Sequence, residues 1–133
     1  MILREAIELL LKAADVQEAN GLHQVGWYDR GQAATLLLDP RKCRVCPIGA
    51  IATAAGLFPS EITSSYSGAQ RSRQAAVLLA TYLIEHRLAE PPHDGGIGDI
   101  EVGEAINVIG PNWADKPGQT ASSLATTMRA AAA

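Results

Sequence analysis

Ile2-Leu3-Arg4-Glu5-Ala6-Ile7-Glu8-Leu9-Leu10-Leu11-Lys12-Ala13-Ala14 sets the fold class. Ile2, Leu3, Ala6, Ile7, Leu10, Ala13 and Ala14 recur at the spacing of one helix face, and Arg4, Glu5, Glu8 and Lys12 fill the other. Glu8 precedes Lys12 at i,i+4, the favourable order, worth roughly 0.3 kcal/mol. The pattern predicts a helix over 2–19. Asn20-Gly21 stops it, since both residues tolerate left-handed backbone.

Outward from this helix the same period returns. Cys46 suits an N-cap and Pro47 the first helical position, with Ile48, Ile51, Ala52 and Ala55 as the stripe and Gly56 as the stop. Gly49, Ala50, Ala52, Ala54 and Ala55 are small, so this helix lets neighbours approach closely and is expected to be central. A long helix is expected over 69–88, with His86 on its apolar stripe. Another starts at Gly98 or Asp99, carries Val102, Ala105, Ile106 and Ile109, and ends at Gly110-Pro111. A last one starts from a Thr120 cap. Between the first two helices, 23–28 and 34–38 read as short strands joined by a turn at 29–32. The expected fold is mainly α: about five helices in one compact bundle, with a small β-hairpin or loop inserted after the first.

Composition bounds the function. The chain has 133 residues, 47% hydrophobic and 19% charged, which suits a single globular domain over 1–133. Lys and Arg number 11 against 14 Asp and Glu, for a net charge of −3, so a basic nucleic-acid footprint is missing. No apolar run reaches the roughly 18 residues of a membrane span. Arg4, Glu5 and Glu8 interrupt any secretory leader. Two cysteines are too few for a disulfide framework. A soluble, cytoplasmic protein is the expectation.

Three short motifs stand out: Gly21-Leu22-His23-Gln24, Cys46-Pro47-Ile48-Gly49-Ala50, and Trp113-Ala114-Asp115 with Gln119-Thr120. In these the chain resembles a family of small uncharacterised proteins from actinobacteria and their phages. That family shows a Trp-Cys-Gln-Gly segment, a Cys-x-x-Gly-Ala helix start and a Trp-Asn-Asp segment followed by Arg-Thr. Leu22-His23 stands here for Trp-Cys, Ala114 for Asn and Gln119 for Arg. The resemblance implies the domain limits and singles out Gln24, Cys46, Trp113 and Asp115. It implies no reaction.

Cys46 carries the sharpest chemistry. A thiol at a helix N-terminus feels the positive end of the macrodipole, and Arg41, Lys42 and Arg44 would add to it, so a lowered pKa is expected. A nucleophilic cysteine needs a base, for which His23, His86 and His93 are available and His23 is the one nominated, and an orienting group, drawn as Asp115 or Gln24. The plain alternative is a small buried residue that caps and packs. Cys43-Arg44-Val45-Cys46 also has the spacing of a redox pair or half a zinc site, but the βαβ context and the remaining ligands are missing. His93-Asp94 with Asp99 and Glu101, and the glycines at 95–98, read as a solvated loop. Trp27 and Trp113 are expected to flank a pocket holding Gln24, Cys46 and Asp115, with Arg44 nearby as a binding cation.

No catalytic signature is complete. The expected function is therefore a small binding or adaptor protein, its partner a small molecule or another protein, with self-association open. Phages and their hosts use such domains as inhibitors, sponges and regulators. No membrane, nucleic acid, metal or cofactor is expected to bind. The alternative is a thiol enzyme using Cys46 for amide or acyl transfer.

Overall fold

The computed structural model describes residues 2–62, 67–91 and 101–133. Six α-helices lie among them: α1 (Ile2–Asn20), α2 (Arg30–Leu36), α3 (Pro47–Ala54), α4 (Ser67–Glu85), α5 (Val102–Ile109) and α6 (Ala121–Ala132). A 3₁₀ turn spans Pro40–Lys42, and a wide π-type turn, Gly110–Ala114, extends α5. The His93-Asp94 pair, the glycines at 95–98 and Asp99 lie outside the described residues.

Helix α1 is the hub. It packs on α6, α3 and α4, while α4 also receives α5. Leu10, Ile51, Leu79, Leu83, Ile109, Leu124 and Met128 are fully buried. Each such side chain contributes roughly 1.5–3 kcal/mol on leaving water. Ala13, Ala14, Ala50, Ala52, Ala76 and Ala80 are buried between them, so the helices approach closely. Arg129 ties α6 to α1 through Asp15 at 2.9 Å and Glu18 at 3.0 Å. No helix among the described residues is long and apolar enough to cross a membrane.

The ends follow local chemistry. Gly21 closes α1 at φ +91°, its N–H donating to the Gln17 carbonyl at 3.1 Å. Thr120 caps α6, its hydroxyl accepting from the Ser123 N–H at 3.0 Å.

Three expectations are corrected. The stretch read as the second strand is helix α2. Asp29 is its N-cap, accepting the Gln32 N–H at 2.9 Å, and Leu37 ends it in left-handed backbone at φ +55°. Alanines and a good cap outweigh the three leucines, and none of α2 is buried. The extended pairing is confined to two isolated bridges on Val45, parallel with Leu22 and antiparallel with Tyr28. Gly110-Pro111 does end α5, at Ile109, but the chain runs straight on into a wide turn that the sequence reading lacked. Proline cannot donate and crowds the carbonyl four residues back, so the ladder opens into a wider turn closed by Asp115 N–H on the Gly110 carbonyl at 3.0 Å. Helix α4 stops at Glu85, with Arg87 in left-handed backbone and Leu88 outside. His86 is therefore exposed, stacked on Tyr82 at 3.9 Å, with Nδ1 3.1 Å from the Tyr82 carbonyl.

Candidate functional site

The site begins with the segment that leads into α3. Residues 21–29 wrap around it and bond to both of its edges. Val45 N–H donates to the Gly21 carbonyl and His23 N–H to the Val45 carbonyl, both at 3.1 Å. On the other edge, Asp29 N–H donates to the Arg44 carbonyl at 2.8 Å and Cys46 N–H to the Trp27 carbonyl at 3.2 Å. Gln17, fully buried on α1, donates from Nε2 to the carbonyls of Val45 at 2.8 Å and Gly21 at 3.0 Å.

Cys46 then starts α3. Its backbone is extended, Pro47 follows in the first turn, and Sγ accepts the Gly49 N–H at 3.3 Å. The residue is 5% exposed. Burial pushes the thiol up to about 11, against the N–H groups of Gly49 and Ile48, and the Asp115 charge adds to the rise. The expected lowering is thus reversed. The helix end does favour thiolate, but desolvation is larger. The two arginines of the basic cluster are spent elsewhere: Arg41 pairs with Asp39 at 2.6 Å and Arg44 with Asp29 at 2.7 Å. Cys43 is also a free, buried thiol, raised by burial and by Asp29 and Asp39, with Sγ 3.5 Å from the Asp39 carbonyl.

The loop over α3 is fastened to the turn at the far end of the chain. Gln24 Nε2 donates to the carbonyls of Ala114 at 2.9 Å and Lys116 at 3.0 Å. Val25 N–H donates to Asp115 Oδ1 at 2.8 Å. Val25 is held at φ +59°, a left-handed conformation costly for a β-branched residue, and is 80% exposed. A strained valine in open solvent is kept there by the fold around it, and the Asp115 bond is part of that hold.

Beneath this loop is a cleft of about 230 Å³. Trp27, Ile48, Ile106 and Pro111 line it, and Cys46, Asn107 and Asp115 supply its polar groups. A larger depression of about 360 Å³ sits at the C-terminal end of α4, between Arg87, Glu90 and Lys116. It holds none of the residues that the motifs single out, so the smaller cleft is the candidate site.

The structure brings Trp27, Cys46 and Asp115 together on this cleft, with Gln24 as a fastener at its edge. It does not bring His23 there: that ring lies against Gly26, within the loop, and makes no hydrogen bond to Cys46. Trp113 is 3% exposed, part of the core and not of the cleft wall. Arg44 lies on the outer side with Asp29, its stem against Gly21. Ile106, Asn107 and Pro111 were missed. The signal for them was the Gly110-Pro111 break, which opens the end of α5. Among the described residues no group of three or more His, Cys, Asp or Glu gathers in a way that could hold a metal ion.

No curated protein and no solved structure matches the chain. A family model, the family of unknown function DUF6197, matches residues 1–133, and the chain belongs to that family.

Proposed function

We propose that the protein is a small binding protein that works by taking one short, mostly apolar group into the cleft beside Cys46. The carrying observation is the convergence of Trp27, Cys46 and Asp115, from three separate parts of the chain, on one concave, apolar-lined space. Size narrows the ligand. Drug-sized molecules occupy roughly 300–1,000 Å³. A cleft of about 230 Å³ suits a small molecule or one side chain of a partner protein. Two unbridged cysteines support a cytoplasmic location. The motif resemblance to actinobacterial and phage proteins supports a regulator or inhibitor that acts by occupancy.

One observation favours a thiol enzyme: the Gly49 and Ile48 N–H groups on the Cys46 sulfur. Against it, a thiol at about 11 leaves about one sulfur in ten thousand ionised at neutral pH. Binding therefore stands ahead of catalysis.

Titration of the labelled protein with a small fragment library, followed by amide NMR, tests this. Saturable shifts confined to Val25, Gly26, Trp27, Ile48 and 106–111 are expected. Fragments that bind only elsewhere, or none that binds, would overturn the proposal.

A further inference from the structure

Resting on the binding reading above, the charges around the cleft say what its ligand carries. Asp115 is half-buried at the cleft edge. Its Oδ1 is engaged by the Val25 N–H at 2.8 Å. Its Oδ2 lies 3.9 Å from where a side chain on Gly110, another lining residue, would stand. Among the described residues Oδ2 accepts no hydrogen bond, no Lys, Arg or His lines the cleft, and none pairs with Asp115. Asn107, exposed on the same rim, adds a neutral polar group. The other carboxylates held firmly in this part of the fold, Asp29 and Asp39, each have an arginine. Asp115 does not.

A fixed carboxylate without a counter-charge, beside an apolar space, is complementary to a cation on a short hydrocarbon stem. We infer that the cleft takes an alkylammonium group, with the stem against Ile48, Ile106 and Pro111 and the nitrogen on Asp115 Oδ2. A lysine side chain of a partner and a free small amine share this chemistry.

The test compares n-butylammonium, butyrate and 1-pentanol, titrated against the full chain and read from the cleft amides. Saturable binding of n-butylammonium, with butyrate absent and the alcohol weaker, is expected. Asp115→Asn keeps an oxygen for the Val25 N–H and replaces the free Oδ2 with an NH2 donor, removing the charge and the acceptor together. It should weaken the amine by about tenfold to a hundredfold and the alcohol far less, since an amide can still donate to or accept from a hydroxyl. Should Asp115→Asn fail to fold, Asn107→Asp and Asn107→Lys serve instead, expected to strengthen and weaken amine binding respectively. Capped lysine tested beside n-butylammonium separates the sources, and tighter binding of either supports the inference. If the alcohol binds as tightly as the amine and charge changes leave both alone, the cation is refuted while the binding cleft stands. If neither binds, both fall.

Discussion

Gly49 offers the sharpest test of how the loop sits on α3. It lies in the first turn of that helix, and no left-handed angle demands glycine there. What demands it is space. A Cβ on Gly49 would stand 2.5 Å from the Trp27 carbonyl oxygen, 2.5 Å from Val45 Cγ2 and 3.1 Å from Pro59 Cβ. The first neighbour is backbone, and the second belongs to a residue only 1% exposed, so neither can step aside cheaply. Retreat of Trp27 would also stretch its bond from the Cys46 N–H, now 3.2 Å.

Gly49→Ala gains about 1 kcal/mol in helix propensity. Overpacking costs about 1–3 kcal/mol, here at the upper end, and the stretched hydrogen bond about 1 more. A net loss of about 2–3 kcal/mol is expected, which lowers Tm by about 10 °C in a domain of this size. Gly103→Ala is the matched control. That glycine sits in α5, and a Cβ there meets nothing within 4 Å, so a gain of about 0.4–1 kcal/mol is expected. Thermal melts followed by circular dichroism read both. Hydrogen exchange at the Cys46 amide adds the mechanism, since a lifted loop exposes that N–H. A Gly49→Ala protein that melts no lower than the parent would refute the close packing of Trp27 on α3.

Four further outcomes follow from the same geometry. Iodoacetamide should label Cys46 in the folded protein far more slowly than a free thiol at neutral pH, and labelling as fast as glutathione would contradict its burial. Because burial lifts that thiol from an ordinary 9 to about 11, folding stability is fully present below 9 and falls as pH rises through 11, by about 3 kcal/mol; urea melts of the parent and Cys46→Ser should diverge only across that window. Gln17→Leu removes two hydrogen bonds of about 1 kcal/mol each but also the buried, unpartnered Gln17 Oε1, and each carbonyl keeps one backbone donor, so a net loss near 1 kcal/mol is expected by urea melt. Thr120→Ala should cost about 1 kcal/mol by the same melt, since it removes the α6 cap.

Much of the helical skeleton was legible because its signals are local. Periodicity marks α1 and the body of α4, while Gly21, Cys46-Pro47 and Thr120 each mark an end through their own backbone preference. Helix α2 was not legible in that way. It is seven residues long and buries none of them, so its apolar pattern carries no face, and one aspartate cap decides it. Proline at 111 reads as a stop by its missing donor, but a wider turn also accommodates that loss. The cleft was the least legible. Its fasteners run from Gln24 to the Ala114 carbonyl and from Asp115 to the Val25 N–H, each across a separation of 90 residues. Residue types could nominate the partners, but only the packing of α5 and its turn on α3 and α4 brings them into reach.

The positions where the chain departs from the motifs it resembles gain a physical meaning from those fasteners. Gln24 bonds to the Ala114 carbonyl, not to its side chain, so the contact is indifferent to what stands at 114. Ala114 is fully buried, and an asparagine there would need partners of its own. His23 likewise holds Val45 through its backbone N–H, a bond that any residue but proline makes. Gln119 reaches the Trp113 carbonyl at 3.1 Å from a side-chain N–H, a bond an arginine can also donate. The frame is therefore written largely in main-chain bonds and tolerates the exchanges at 22, 23 and 119. The cleft's own polar groups do not have that freedom: the free oxygen of Asp115 and the amide of Asn107 act by side chain alone. Variation at 22 and 23 should leave the cleft in place, while variation at 107 and 115 should change what enters it.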